Sequence, residues 1–451
     1  MLLRCLTTLY VLLLATGPAD LQSQPAGPNP DPSFIYTVAK AYEPLAWMRG
    51  EERFRNGAAL FIKDARGERP LLRDFVSSAD PVISFDGQRV LFAGKPHAAD
   101  AWQIWELSLQ GGPARQITTG VEDCIRPFYL PDDRIVYARK LHGRFVIEAL
   151  DLSGGKPLAL THIPASAIPS DILHDGRIVF SAGNPLGTGE TSEIYTVYSD
   201  GSGVESYRCD HGSGRHSARQ DSSGDLIFVS AKGLGRFTSA RAQGMPLEAP
   251  AGEFAGDFAE STKGDWLLSW RPDPNSSFRI MRWQQGSERM EPVVSEPGTS
   301  VFQPALIAPR PVPNRHPSGL HDGPNANLLC LNAYTSTFRF AAGSIHSVRV
   351  YTENGNSGAK LLGSAPVETD GSFFVQVPGD QPLQIELLDA SGKTLKRESG
   401  FFWMRRGEQR GCVGCHAGPE TAPENAVPAV LLKSTTPADL TGNAQSASGG
   451  H

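Results

Sequence analysis

Two cysteines and a histidine near the C-terminal end have the types and the spacing of a covalent haem site. Cys412 and Cys415 stand three residues apart, and His416 directly follows the second cysteine. A C-x-x-C-H run indicates c-type haem attachment, because two thiols at this spacing can form thioethers with the vinyl groups on one porphyrin edge. The adjacent imidazole then reaches the iron as an axial ligand. The motif predicts one covalent haem c on Cys412 and Cys415, with His416 bound to the iron.

Two other kinds of site use a C-x-x-C pair. A redox dithiol of the thioredoxin type lies beside a βαβ unit, and the sequence has no such pattern. A structural zinc site takes four cysteine or histidine ligands, and the chain contains no second C-x-x-C. Haem is therefore the favoured cofactor, and zinc is the weaker alternative.

Side chains near the motif could complete a haem site. Met404 precedes Cys412 by eight residues and could be a sixth iron ligand, a role that is also open to His316, His321 and His346. A filled sixth position favours electron transfer, whereas an open one permits small-molecule chemistry at the iron. Arg406 and Arg410 also precede the motif, and their guanidinium groups are candidates to pair with the haem propionates.

Residues 34–308 contain a repeated unit of short strands. Each unit has an apolar run after a turn, and these turns lie 46, 43, 48 and 40 residues apart, at residues 87, 133, 176, 224 and 264. A period of roughly 40–45 residues with four strands per unit is the signature of a β-propeller. The turns resemble those of TolB and WD40-like blades, here as Asp86-Gly87 and Pro131-Asp132. The outer hairpins give six units, so we predict an all-β fold that begins with a six-bladed propeller; an irregular β-sandwich is the alternative.

The pattern changes at residue 309. Residues 309–326 are rich in proline and predict a stiff linker. Residues 327–433 predict a small β-rich haem domain, with strand-like runs at 328–332, 347–351, 373–377, 383–388 and 400–404. Residues 434–451 are rich in Ala, Gly, Ser and Thr, and they predict a disordered tail.

The N-terminal residues 1–19 have the features of a cleaved signal peptide. Arg4 is followed by an apolar stretch over 6–15, and the small residues Gly17 and Ala19 favour cleavage after Ala19. The stretch is shorter than the ~20 residues of a membrane-spanning helix, although an uncleaved anchor is the alternative. We therefore expect an exported, periplasmic protein with no transmembrane segment in the mature chain.

Composition excludes some classes of partner. The 42 Lys and Arg residues against 48 Asp and Glu residues give a net charge of −6, which argues against a nucleic-acid partner. Outside the signal peptide and the motif, the cysteines are odd in number, so at most one disulfide can join two of Cys124, Cys209 and Cys330. No Ser-His-Asp or paired-carboxylate pattern stands out, so catalytic residues are not assigned.

The C-terminal region resembles a known family. The resemblance rests on the run GSAPVETDGSFFVQVP at 363–378, on Arg406-Gly407-Glu408, and on the C-x-x-C-H that follows. These residues resemble the middle domain of the hydrazine synthase alpha subunit family over roughly 305–430, which implies a c-type haem domain placed after a propeller. The resemblance also implies an iron-binding Tyr four residues after the motif histidine. Glu420 stands there in this sequence, so it becomes an alternative metal ligand, and hydrazine synthesis itself is not expected.

These observations predict an exported mono-haem protein of the c-type cytochrome kind. Its expected role is periplasmic redox work, either electron transfer or haem-dependent oxidoreductase chemistry on a small molecule. The partner would be a redox protein or a small-molecule electron donor or acceptor. The alternative is a propeller-based binding or scaffold protein in which the C-x-x-C-H site is structural.

Overall fold

The computed structural model describes residues 32–442, except residues 56, 184–190, 209–213, 241, 355–357, 399, 415–421 and 423–424. The predicted signal peptide lies outside the described residues, as do Cys209, Cys415, His416 and Glu420. Two short helices are found in the described part, a 3₁₀ helix at Ala46–Arg49 and an α-helix at Ala429–Lys433. Neither they nor any other described segment is a helix long and apolar enough to cross a membrane.

The described residues between 34 and 306 form six four-stranded sheets. The chain begins with β1 (Phe34–Ala39), β2 (Ala59–Asp64) and β3 (Gly67–Pro70), followed by β4 (Ser77–Ile83), β5 (Arg89–Lys95), β6 (Gln103–Ser108) and β7 (Arg115–Gln116). The next two sheets are β8 (Cys124–Tyr129), β9 (Arg134–Leu141), β10 (Arg144–Asp151) and β11 (Leu158–Ala159), then β12 (Ala167–Ile172), β13 (Ile178–Gly183), β14 (Ser192–Val197) and β15 (Glu205–Ser206). They are followed by β16 (His216–Gln220), β17 (Leu226–Ser230), β18 (Gly233–Phe237) and β19 (Met245–Pro246), and by β20 (Glu253–Glu260), β21 (Asp265–Arg271), β22 (Arg279–Gln284) and β23 (Met290–Val294).

The first sheet is completed from the far end of this region. β24 (Ser300–Leu306) pairs antiparallel with β1, so that Phe34 lies opposite Leu306 and Val38 opposite Val301. The other five sheets are built from consecutive strands, each paired antiparallel with the next. Repeated four-stranded sheets joined end to end in this way confirm the predicted all-β fold and its propeller architecture.

The five turns predicted from the repeat share one backbone feature. Backbone φ is positive at Gly87, Asp133, Gly176, Gly224 and Gly264, with values of 75°, 60°, 88°, 94° and 81°. Each of these residues lies between the first and second consecutive strands of its sheet. Glycine adopts this conformation without steric cost, which explains its use at four of the five positions.

The strands β4, β8, β16 and β20 carry a buried ionic network, to which Arg53 is added from the segment before β2. Arg53 donates to both carboxylate oxygens of Asp80, at 2.8 and 2.6 Å. Arg126 and Arg219 donate to opposite oxygens of Asp257, each at 2.9 Å. Burial raises the pKa of Asp80, but Arg53 and Arg126 outweigh burial and hold this pKa at about 2. Burial also raises the pKa of Asp257, but Arg126 and Arg219 outweigh it and hold this pKa below its ordinary value. Both carboxylates are thus ionised at neutral pH, and the arginines compensate the cost of burying them.

The C-terminal region contains two further four-stranded sheets. Its strands are β25 (Asn325–Cys330), β26 (Ser347–Glu353), β27 (Ala359–Pro366), β28 (Phe373–Pro378), β29 (Leu383–Leu388), β30 (Thr394–Arg397), β31 (Gln409–Cys412) and β32 (Ala438–Asp439). One sheet has the order β31-β25-β28-β32 and the other the order β27-β26-β29-β30. Buried apolar side chains of both sheets form one cluster. The four strand-like runs predicted between 328 and 388 correspond to β25, β26, β28 and β29, whereas the run at 400–404 forms only an isolated bridge.

The proline-rich segment after β24 is fastened to the propeller. The amide of Arg310 donates to the carbonyl of Phe85, and the amide of Asn314 donates to that of His174, both at 2.9 Å. Gly176 packs so closely on this segment that a Cβ there would lie 2.1 Å from the Asn314 carbonyl oxygen. The segment is therefore held in place by the turns of two sheets.

The predicted disordered tail does not hold for its first residues. β32 pairs in parallel with β28, with Ala438 opposite Val375, and Leu440 is only 3% exposed. Leu440 packs against Gly363, where a Cβ would lie 2.7 Å from the leucine side chain. Backbone pairing with β28 and the burial of Leu440 thus order a segment whose composition predicts disorder. Residues 443–451 lie outside the described residues.

Candidate functional site

The C-x-x-C-H motif begins at the end of a strand that is paired within a sheet of the C-terminal domain. Cys412 is the last residue of β31, which pairs in parallel with β25 in a register that places Gln409 beside Asn327 and Cys412 beside Cys330. The amide of Leu331 donates to the Cys412 carbonyl at 2.9 Å. Because side chains alternate along a strand, Arg410 and Cys412 point to the same face. The first thiol of the motif is therefore fixed by the sheet, and it is only partly buried.

The third position of the motif requires glycine. A Cβ on Gly414 would lie 2.0 Å from the carbonyl oxygen of Thr335 and 2.7 Å from that of Asn332. Both neighbours are backbone atoms, so they cannot rotate away as a side chain could. The motif therefore packs directly on the loop that follows β25, and the residue between Val413 and Cys415 is set by this contact.

A third cysteine, Cys330, lies beside the motif, and no local signal in the sequence predicts its position. Cys330 ends β25 as Cys412 ends β31, and its side chain is 2% exposed. The hydrogen bond from Cys330 lowers the pKa of the Cys412 thiol below its ordinary value, whereas burial raises it and Arg410 lowers it further. A thiol with a lowered pKa has more of the nucleophilic thiolate at neutral pH. Cys412 is therefore chemically activated by its neighbours.

The two predicted propionate partners have different surroundings. Arg410 lies in β31, two residues after Glu408, and its Nε donates to the Glu408 carboxylate at 2.8 Å. The side chain of Arg410 is 17% exposed. Arg406 is 64% exposed and forms an ion pair with Asp380 at 3.2 Å. Only Arg410 is among the groups that influence the Cys412 thiol.

The candidates for a sixth ligand are scattered. Met404 is fully buried in the apolar cluster of the C-terminal domain, so binding iron would require it to leave that core. His316 stacks on Tyr198, with 3.5 Å between the ring centroids. His321 and His346 are exposed. Within the described ranges, no group of three or more His, Cys, Asp or Glu side chains could hold a metal ion.

Glu408 connects the motif strand to the propeller. One of its carboxylate oxygens accepts from the amide of Gly203 in the propeller at 3.2 Å and from Arg410, and the other accepts from the amide of Arg405 at 2.7 Å. The side chain of Arg405 donates to the carbonyl of Asp200 at 3.0 Å. Glu408 is 6% exposed, so these bonds are shielded from water. The strand that carries Cys412 is thus anchored on a propeller turn.

Gly407 allows this anchoring. Its φ is +76°, and a Cβ there would lie 1.7 Å from the carbonyl oxygen of His321. A tight turn at this point lets the chain enter β31 with Glu408 facing the propeller. The Arg406-Gly407-Glu408 run on which the family resemblance rests therefore has a structural role in positioning the motif.

A second candidate site is a cavity on the propeller. It has a volume of about 390 Å³ and lies between the inner strands and the segment after β24, within the size range of small-molecule sites. Its charged lining residues are Asp171, Arg219, Glu260 and Arg310. Arg310 stacks on the ring of Phe85 at 4.4 Å. No sequence pattern predicts this cavity, because its lining residues are distant along the chain.

Part of the C-terminal region is similar to a domain of known proteins. Residues 335–417 match the family model of the hydrazine synthase alpha subunit middle domain. The resemblance predicted from the sequence is therefore confirmed. Over 70 residues the chain is 33% identical to the hydrazine synthase subunit alpha of Kuenenia stuttgartiensis, an alignment that covers 16% of this chain and only 9% of that protein.

The likeness in fold extends further than the likeness in sequence. The structure of Kuenenia stuttgartiensis hydrazine synthase superposes with a TM-score of 0.77 at 16% identity, over 90% of this chain and 72% of that one. At this identity the match establishes a shared fold alone. TolB from Acinetobacter baumannii also matches, with a TM-score of 0.46 at 16% identity over 61% of this chain and 67% of that one.

Proposed function

We propose that this protein is an exported, mono-haem c-type cytochrome-like protein with a redox role in the periplasm. Cys412 and Cys415 would hold the haem by thioethers, and His416 would be the axial ligand. The observation that carries the proposal is the position of Cys412, whose activated thiol is fixed at the end of a strand in a domain of the hydrazine synthase alpha middle-domain type. When bound, the haem would supply one-electron redox chemistry and, with an open sixth position, a site for small molecules.

The residues around Cys412 suit this group. Cys412 is partly exposed, and the glycine at position 414 brings the motif against the backbone of the 332–335 loop. Arg410 lies on the same face as Cys412 and could neutralise a propionate, although this would draw it from Glu408. Residues of the chain thus hold the thiol, set the path of the motif and supply a cation.

The fold context supports the same proposal. Each of the six four-stranded sheets is interpreted as one blade of a six-bladed propeller, which carries the haem domain on its turns. Hydrazine synthesis is not proposed, because Glu420 stands where the family resemblance implies an iron-binding Tyr, and the curated relative is aligned over 9% of its length.

The test is covalent haem incorporation. The full chain is produced with a cytochrome c maturation system, and haem is detected by its absorption spectrum and by peroxidase staining after denaturing electrophoresis. We expect one haem per chain in the wild type, none in a Cys412→Ala, Cys415→Ala double variant, and unchanged incorporation in Cys124→Ser, whose cysteine lies buried in the propeller. Absence of covalent haem in the wild type would refute the proposal. Carbon monoxide titration of the reduced protein then separates an open sixth position from a filled one.

The cavity near Arg310 favours a second candidate function, a propeller that binds a small molecule. Its volume of about 390 Å³ and its mixture of charged and apolar walls are typical of such sites. A haem-free chain that remains folded, and whose stability increases with a small-molecule ligand in a thermal-shift screen, would favour this function over the redox role.

A further inference from the structure

Cys330 and Cys412 are placed as a disulfide requires. They are directly opposite each other in the parallel pair of β25 and β31, and neighbouring strands are about 4.8 Å apart. Disulfides form across Cα separations of roughly 4.4–6.8 Å. Both side chains belong to or pack on the same apolar cluster, and Cys330 already donates a hydrogen bond to the Cys412 thiol.

We propose that Cys330 and Cys412 form a reversible disulfide in the haem-free protein, and that this bond controls whether Cys412 can accept haem. The second half of the proposal rests on the proposed function. The first half concerns two described side chains of this chain alone. In the oxidised form Cys412 has no thiol to add to a vinyl group, so attachment through both cysteines is blocked until the bond is reduced.

The chemistry needs a disulfide oxidant, either a small molecule such as oxidised glutathione or a protein disulfide. The Cys412 thiolate attacks one sulfur of the oxidant, forms a mixed disulfide and releases the first thiol. Cys330 then loses its proton and attacks the Cys412 sulfur, which forms the intramolecular bond and releases the second thiol. The two cysteines together lose two electrons and two protons, and the oxidant gains both. A dithiol reductant reverses each step.

The other described cysteine outside the motif is not placed to form a disulfide with Cys412. Cys124 lies at the start of β8 and is fully buried in the propeller cluster, whereas Cys330 belongs to the separate cluster of the C-terminal domain. Burial raises the pKa of the Cys124 thiol to about 11, so little thiolate forms. Cys124→Ser is therefore a matched control for removal of a buried thiol.

The bond is tested by peptide mapping of haem-free protein. The full chain is made without haem maturation, incubated with oxidised glutathione, alkylated and digested with trypsin. Cleavage after Arg315, Arg339, Arg410 and Lys433 places Cys330 in one peptide and both motif cysteines in another. The Cys415→Ser variant leaves Cys412 as the one thiol of the second peptide. We expect a cross-link between these peptides in Cys415→Ser that dithiothreitol removes and that Cys330→Ser and Cys330→Ala each abolish.

Two results would overturn the bond: alkylation of both Cys330 and Cys412 after oxidant treatment, or a link within the motif peptide alone in the wild type with none in Cys415→Ser. Control of haem attachment is tested separately, with maturation machinery and limiting reductant. We expect Cys330→Ser and Cys330→Ala to carry more haem per chain than the wild type and Cys124→Ser, with the difference lost in excess reductant. Equal incorporation at limiting reductant would overturn the control. A chain without haem in any variant would refute the proposed function and this control together, while the peptide map still decides the bond.

Discussion

Replacement of Glu408 tests whether the propeller positions β31, the strand that ends at the first cysteine of the C-x-x-C-H motif. The Glu408→Ala change removes the acceptor for two backbone amides and for Arg410 at once. Each buried donor left without a partner costs about 1–3 kcal/mol, and breaking a buried ion pair by removing one partner costs about 3–5 kcal/mol. The contributions overlap, because the same carboxylate makes all three bonds. We therefore expect a loss of about 3–5 kcal/mol in the free energy that holds β31 on the propeller.

The assay for this loss is local. In the reduced, haem-free protein, the rate at which a maleimide reagent labels Cys330 reports how often β31 opens, because this side chain lies beside Cys412 in the pairing of β25 with β31 and is only 2% exposed. A loss of about 4 kcal/mol corresponds to a rise of about three orders of magnitude in the open population. Glu408→Gln keeps the shape and one acceptor oxygen, so it should have a smaller effect. Glu291 is a matched control, because its side chain is 77% exposed and its nearest arginine contact is 4.0 Å; Glu291→Gln should leave labelling unchanged. Equal labelling rates in Glu408→Ala and the wild type would refute the proposed anchoring.

Two further predictions follow from close packing and from burial. Gly414→Ala should lower haem incorporation and destabilise the C-terminal domain by about 1–3 kcal/mol, because the added Cβ would lie 2.0 Å from a backbone oxygen. Haem staining and thermal unfolding measure these two effects. Gly411→Ala is the control, since a Cβ at Gly411 has no neighbour within 4 Å. A wild-type level of haem in Gly414→Ala would contradict the packing argument. His216 is 8% exposed, and burial lowers its pKa to about 4. The folded state therefore binds the proton less tightly than the unfolded state, in which the pKa of this histidine is about 6.5. The free energy of unfolding should then fall by up to about 3 kcal/mol as the pH decreases from about 6.5 to 4. His216→Gln should reduce this pH dependence when denaturation midpoints are measured across that range, and an unchanged pH dependence in the variant would contradict the prediction.

Local signals in the sequence predicted the local features of the fold. Gly87 and Gly176 were identified from the turn pattern because the need for positive φ is decided within a few residues. β31 was not predicted, because its four residues include a glycine and lack β-branched side chains. The run at 400–404 has strand-like residues, yet its backbone forms only the isolated bridge between Phe402 and Leu383. The indole of Trp403 donates to the Gly201 carbonyl of the propeller at 3.3 Å. This segment thus makes a contact with the propeller that local sequence signals do not show.

In the candidate site, the sequence predicted the residue with a local spacing signal and missed the one that only the fold brings close. Cys412 was found from spacing alone, because the chemistry of haem attachment fixes the interval between its thiols. Cys330 is 82 residues earlier, and only the parallel pairing of β25 with β31 brings it to the motif. Parallel pairing needs a long connection and has no short turn signal. A third cysteine in the same domain was visible, but nothing nearby in sequence marked it as the neighbour of the motif.

The anchoring through Glu408 bears on the two candidate functions. A propeller that binds a partner would be expected to leave its turns exposed. The turn at Asp200–Gly203 is instead bonded to the C-terminal domain, because the Asp200 carbonyl accepts from Arg405 and the Gly203 amide donates to Glu408. The carboxylate that holds this turn is also the partner of Arg410, which lies two residues before Cys412. Any ligand that displaced this turn would loosen the strand that presents the thiol. The propeller turn and the strand that precedes the motif are thus coupled through Glu408, which favours the proposal that the propeller supports the predicted haem site over the alternative in which the motif is incidental to binding.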